Sequence, residues 1–124
     1  MPTHYNKLLV WQKAMKLTVV IYQITKKLPD DERYGLISQM RRAAVSIPSN
    51  IAEGHARSSS PKDFKHFLMI ARGSTAELDT QLLLCVKLNL LENSDVAVIT
   101  EQIEEISRML YSFIQTLSKD PGIL

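Results

Sequence analysis

A proline set inside an amphipathic repeat limits what this chain can become. Residues Gln39 to Arg57 read QMRRAAVSIPSNIAEGHAR. Leu36, Met40, Ala43, Ile47 and Ile51 recur three or four apart and make one apolar helical face. Gln39, Arg42, Ser46, Asn50 and Glu53 recur at the same spacing and make a hydrogen-bonding face beside it. Ala43 and Ala44 are small enough to let a neighbouring helix approach closely. Pro48 removes one helical hydrogen bond, a cost of about 3 kcal/mol. The periodicity resumes after it, so the pattern predicts a kinked helix and not a break.

Three further helices follow from the same logic. The first spans about Lys7 to Leu28, after a short arm from Met1 to Asn6. Leu8, Trp11, Met15, Thr18, Tyr22 and Thr25 form one of its seams; Val10, Ala14, Leu17, Ile21, Ile24 and Leu28 form a second. Pro29 ends it, and Asp30, Asp31 and Glu32 suit the positive end of the next helix, about Asp31 to His55. Gly54 and the run Ser58-Ser59-Ser60-Pro61 close that second helix. Ser60 as cap, Pro61 at the first position and Asp63 at the third start the helix from Pro61 to Asn89. Its seam is Phe64, Leu68, Ala71, Thr75, Leu78, Leu82 and Cys85. The last helix, about Asp95 to Leu117 with Asn93 or Ser94 as cap, carries Val96, Ile99, Ile103, Ile106, Leu110, Phe113 and Leu117. A tail with Pro121 and Gly122 follows. Short connections between four such helices predict a single all-α domain, an antiparallel up-down-up-down four-helix bundle.

That topology sets heights. Across the turn near residue 59, Arg42 falls level with Glu77, Ser46 with Ser74 or Gly73, Gln39 with Thr80 or Gln81, and Glu53 with His66. A structural polar network of Gln39, Arg42, Ser46, Asn50, Glu53, Ser74 and Glu77 is expected, with Arg42 and Glu77 as a buried ion pair fixing register.

Composition narrows the class. The 124 residues are 45% hydrophobic and 23% charged, which argues for one folded domain and against disorder. No apolar run approaches the roughly 20 residues of a membrane span, and no leader pattern opens the sequence. A lone Cys85 fits a reducing cytoplasm. Residues 1–72 hold 12 Lys+Arg against 5 Asp+Glu, and residues 73–124 hold 3 against 8, so the chain is basic in its first half and acidic in its second. Such a split suits an anion-binding face or complementary faces within an oligomer.

Little points to catalysis. Cys85 lies on a buried seam without a histidine at its height, and His4, His55 and His66 are too scattered to ligate a metal. Neither a phosphate-cradling glycine loop nor a Glu-x-x-His pair on facing helices is present, so no enzyme and no cofactor are expected. Basic residues are the better lead. Arg41 on the outer side of the second helix, with Arg57, Lys62 and Lys65 at the next turn, can hold phosphates without reading bases. Trp11, Phe64 and Phe67 occupy core positions, which leaves no aromatic stacking platform. Leu82-Leu83-Leu84-Cys85-Val86, then Leu88, Leu90 and Leu91, exceed one helical stripe, as do Met109, Tyr111 and Ile114. Exposing several of these favours self-association.

The segments VWQKAM, LPDDERYGLISQMRRAAVSIPSNIAEG, FLMIARGSTAELDTQL and RMLYSFI resemble the bacterial 23S rRNA intervening-sequence proteins, a four-helix-bundle family. That family is in turn similar to the accessory variability determinant proteins of diversity-generating retroelements. The resemblance implies a cytoplasmic, non-enzymatic, ring-forming homo-oligomer, most simply a pentamer. It further implies nucleic acid, RNA or DNA, and a reverse transcriptase or other protein as partners. A protein-interaction scaffold without nucleic acid is the alternative.

Overall fold

A computed structural model describes residues 4–119; the start of the expected arm and the tail with Pro121 and Gly122 lie outside the described residues. The chain forms α1 (Leu9–Thr25), α2 (Ser38–Ala56), α3 (Pro61–Lys87) and α4 (Asn93–Lys119). Short 3-10 turns cover Tyr5–Lys7 and Asp30–Glu32, and a π-type turn covers Arg33–Ile37. Among the described residues there is no strand, and no helix is long and apolar enough to cross a membrane. Each helix packs on the next, and α4 closes against α1, giving the expected four-helix bundle.

The α3 seam is buried throughout, from Phe64 to Cys85. The α4 seam holds as far as Leu110, where burial passes to Ile114 and Phe113 becomes only half-buried. A strict heptad drifts about 20° per repeat on a straight helix, which explains the hand-over. Phe113 still meets the Phe64 ring edge-on at 5.0 Å. On α1 the seam from Val10 to Leu28 is buried, whereas Met15 and Tyr22 of the other expected seam are exposed.

Pro48 does not interrupt α2, which runs unbroken from Ser38 to Ala56. A proline has no N–H to return to the carbonyl four residues earlier, here that of buried Ala44. The Thr18 hydroxyl of α1 lies 3.1 Å from that carbonyl oxygen and 2.9 Å from its own helix's Ala14 oxygen. Its single proton thus serves α1 and α2 together. A separate irregularity lies earlier, at Gly35 (φ −108°, ψ −113°), inside what was expected to be regular helix from Asp31. There the Glu32 carboxylate accepts from the Leu36 N–H at 3.4 Å and fills the space beside Gly35.

Gly54 is not the helix stop that the sequence suggests. A Cβ there would stand 3.0 Å from Phe64 Cδ1 and Phe67 Cβ, so the bare Cα lets α2 and α3 converge before their turn. Ser60 caps α3 as expected, its Oγ accepting from the Asp63 N–H at 3.3 Å. At the far end Asn89 adopts φ 59°; its N–H reaches the Val86 oxygen at 3.0 Å and the Leu90 N–H reaches that of Cys85 at 2.8 Å. This left-handed cap ends α3 at Lys87, two residues before the expected Asn89.

The start of α4 is tied to α1. Asp95 Oδ2 accepts from the Glu92 N–H at 2.9 Å, the back half of a capping box, so the cap falls at Glu92 and not at Asn93 or Ser94. Lys27 donates to Asp95 Oδ1 at 2.9 Å. The Glu92 amide first, and Lys27 second, hold the Asp95 carboxyl below its usual range. Lys13 pairs with Glu105 at 2.9 Å further along the same seam.

Replacing Thr18 by Val removes the shared proton at nearly constant volume. Urea melts should show a loss of about 1–3 kcal/mol. In a Pro48→Ala background the loss should shrink, because the new residue's own N–H then serves the Ala44 carbonyl. Equal losses in both backgrounds would disconnect Thr18 from the proline.

Candidate functional site

The polar face of α2 divides at its middle. Ser46 Oγ and Ser74 Oγ lie 2.8 Å apart, at the height the topology predicts. Asn50 Nδ2 donates to the Ser46 carbonyl at 2.8 Å and to Ser46 Oγ at 2.9 Å. The network stops there. Gln39, Arg42, Glu53 and Glu77 are exposed, and among the described residues no ion pair joins Arg42 to Glu77. The reason is angular: at about 100° per residue, Arg42 sits roughly 40° further round from the core than Ser46. Equal height does not make equal depth.

Arg41, by contrast, is held. Its Nε donates to Thr25 Oγ1 at 2.9 Å, its Nη2 to the Tyr22 carbonyl at 3.3 Å, and its Cζ lies 4.6 Å from the Tyr22 ring centroid. Thr25 Oγ1 in turn donates to the Ile21 carbonyl at 2.7 Å. Two bonds leave three of the five guanidinium N–H donors available. Arg57 is exposed, with its Cζ 5.0 Å from the Phe67 ring centroid, and Lys62 beside it is exposed too. Lys65 is half-buried on the side of α3 that faces α4. The four expected phosphate contacts therefore do not make one patch. Arg41 and Arg57 sit at opposite ends of α2, separated by about 24 Å of helix.

Two grooves flank these residues. One, of about 720 Å³ between α3 and α4, is lined by Lys65, Arg72, Asp79, Glu104 and Tyr111 among others. Its charges are mixed, with Arg72 Cζ 4.8 Å from the Tyr111 ring centroid. The other, of about 650 Å³, lies between α1 and the start of α2 and includes Tyr22, Arg33, Tyr34, Ser38, Arg41 and Arg42. No carboxylate lines it. Tyr34 is 91% exposed and Tyr22 39%. Sequence reasoning missed this pair of aromatics and also Arg33. The available signal was Arg33-Tyr34-Gly35, an aromatic between a proline turn and the onset of apolar periodicity, where no core seam claims it.

Cys85 is buried, its Sγ 3.7 Å from Met40 Sδ, and burial first, then the Glu32 carboxylate, pushes its thiol above the usual range. Among the described residues no three His, Cys, Asp or Glu side chains come together as a metal set.

The two neighbouring arginines make a direct test. Arg41→Met should lose about 1–3 kcal/mol in urea melts, since it removes charge-assisted bonds between α1 and α2. Arg42→Met, at an exposed position, should stay within about 0.5 kcal/mol of the parent. The reverse order would restore a buried role for Arg42.

No curated protein matches the chain. A crystal structure of a protein of unknown function from the S23 ribosomal protein family of Bacteroides thetaiotaomicron matches it with TM-score 0.78 at 26% identity. The match covers 86% of this chain and 98% of that one. The family model for the 23S rRNA-intervening sequence protein matches residues 6–112, through all four helices. The chain belongs to the 23S rRNA-intervening sequence protein family.

Proposed function

We propose that this protein is a non-enzymatic, self-associating helical bundle that holds RNA or DNA by its phosphates. One observation carries this: the exposed cations of α2, the turn after it and the first turn of α3, Arg42, Arg57 and Lys62, stand without an acidic partner among the described residues. Further exposed acids, Glu101, Glu104 and Glu105, lie on α4. A polyanion can therefore lie on one side of the bundle without displacing an internal pair. The family description names a 23S rRNA intervening sequence, which makes RNA the first ligand to test.

Self-association is supported by Leu83, Leu84 and Leu88 at the end of α3, which are 52%, 45% and 56% exposed. Covering such side chains contributes roughly 1.5–3 kcal/mol each when burial is complete. A pentameric ring is the assembly the family resemblance favours. It would present each basic patch five times and turn modest affinity per subunit into useful avidity on a long strand. These exposed leucines also support the scaffold reading, in which protein partners alone are held.

Binding should be indifferent to sequence. With three or four phosphates engaged per subunit, log affinity against log salt should slope near −3 per subunit, to within about one. Changing Arg57 and Lys62 together to Glu should flatten the slope while sedimentation mass stays that of the parent. Affinity unchanged by salt or by this double change would place the polyanion elsewhere or remove it altogether. A mass of one chain at micromolar concentration would refute self-association.

A further inference from the structure

We infer that the groove between α1 and the start of α2 is a nucleotide-unit site, taking one phosphate on Arg41 and Arg42 and one base on Tyr34. Regarding that unit as part of a single strand rests on the function proposed above.

The groove combines the two chemistries such a unit needs. Arg33, Arg41 and Arg42 bring three guanidinium groups to its wall, and no carboxylate lines it to neutralise them. Asp30 Oδ1 stands 4.0 Å from Arg33 Nη2, with both side chains mostly open to water, an arrangement worth little. The Glu32 carboxylate is engaged at the Leu36 amide. Arg41 is the fixed element. Its bonds to Thr25 and the Tyr22 carbonyl, and its seat over the Tyr22 ring, hold it in place with donors to spare. A guanidinium held this way loses little side-chain freedom on meeting an anion, and its planar fork suits phosphate oxygens.

The aromatic component is Tyr34. A tyrosine that is 91% exposed contributes nothing to the core, and this one stands in the π-type turn beside Arg33. Stacking on such a ring accepts any base but needs the base out of a duplex. The groove volume, about 650 Å³, falls in the range of small-ligand sites. Ser38 on its wall adds a hydroxyl that can meet a sugar or a phosphate. The turn near Arg57 and Lys62 offers charge at the other end of α2, so a strand reaching both places would draw its salt dependence largely from that turn and its single-strand preference from the groove.

The test uses the whole chain and two variants at exposed positions, Tyr34→Ala and Tyr34→Phe, neither of which touches the core. AMP, ribose 5-phosphate and inorganic phosphate are titrated by NMR. AMP should bind about 5- to 100-fold more tightly than ribose 5-phosphate, the range expected of one stacked base. Tyr34→Ala should abolish that ratio and Tyr34→Phe should keep it, while Arg42→Met weakens both ligands alike. Equal affinity of AMP and ribose 5-phosphate, or a ratio that survives Tyr34→Ala, overturns the site. An eight-nucleotide RNA, single-stranded or paired, separates the two proposals. A single-strand preference lost in Tyr34→Ala supports both. Salt-dependent binding with no such preference, together with no AMP ratio, overturns the groove and leaves phosphate binding standing. A Tyr34-dependent AMP ratio with no oligonucleotide binding supports the groove as a nucleotide site and overturns the strand-holding function.

Discussion

An α-helix that continues through a buried proline leaves a carbonyl without its donor, and α2 passes that carbonyl to α1. The Thr18 hydroxyl satisfies Ala44 from across the interface. A buried carbonyl left unpaired costs on the order of 1–3 kcal/mol, so α1 cannot slide along α2 without exposing or orphaning it. Register follows from this. With Thr18 set against Ala44, the next turn of α1 brings Tyr22 and Thr25 opposite Arg41, where the guanidinium finds a hydroxyl, a carbonyl and a ring. The groove wall is thus a consequence of helix packing: a helix-interior proline that looks like a defect sets the position of a cation.

The remaining interfaces are held by different means. Between α2 and α3 the chain uses small residues, with Gly54 letting the helices converge and Ser46 meeting Ser74. Between α1 and α4 two ion pairs, Lys13 with Glu105 and Lys27 with Asp95, lie along one seam. The charge asymmetry of the sequence is therefore partly consumed inside the bundle, where basic α1 meets acidic α4. Among the cations that form no ion pair, Arg42, Arg57 and Lys62 stand exposed on α2, the turn after it and the first turn of α3, and the proposed polyanion contact rests on them.

Much of the fold was legible because burial obeys period. The seams of α3 and most of α4 come straight from spacing, and the Ser60-Pro61-Lys62-Asp63 cap from local chemistry. Spacing does not carry depth. Arg42 shares a height with Glu77 but faces solvent, since it sits about 40° further round the helix from the core than Ser46, and only Ser46 and Asn50 of that face carry the hydrogen-bonded network. Cross-helix bonds were equally hidden: nothing local marks Thr18 as a donor for Ala44 or Thr25 as an acceptor for Arg41. The aromatic in the groove escaped notice because Tyr34 belongs to no seam. Its exposure depends on the kink at Gly35, which periodicity cannot see.

Where a short single strand lies on the protein tests this account most directly. A crystal structure with a four-nucleotide RNA should show one base stacked on Tyr34 and one phosphate within hydrogen-bond distance of Arg41 and Arg42, with the Thr25–Arg41 bond intact. A strand seated in the groove between α3 and α4, or bound with Arg41 turned out of its contacts with α1, would contradict it.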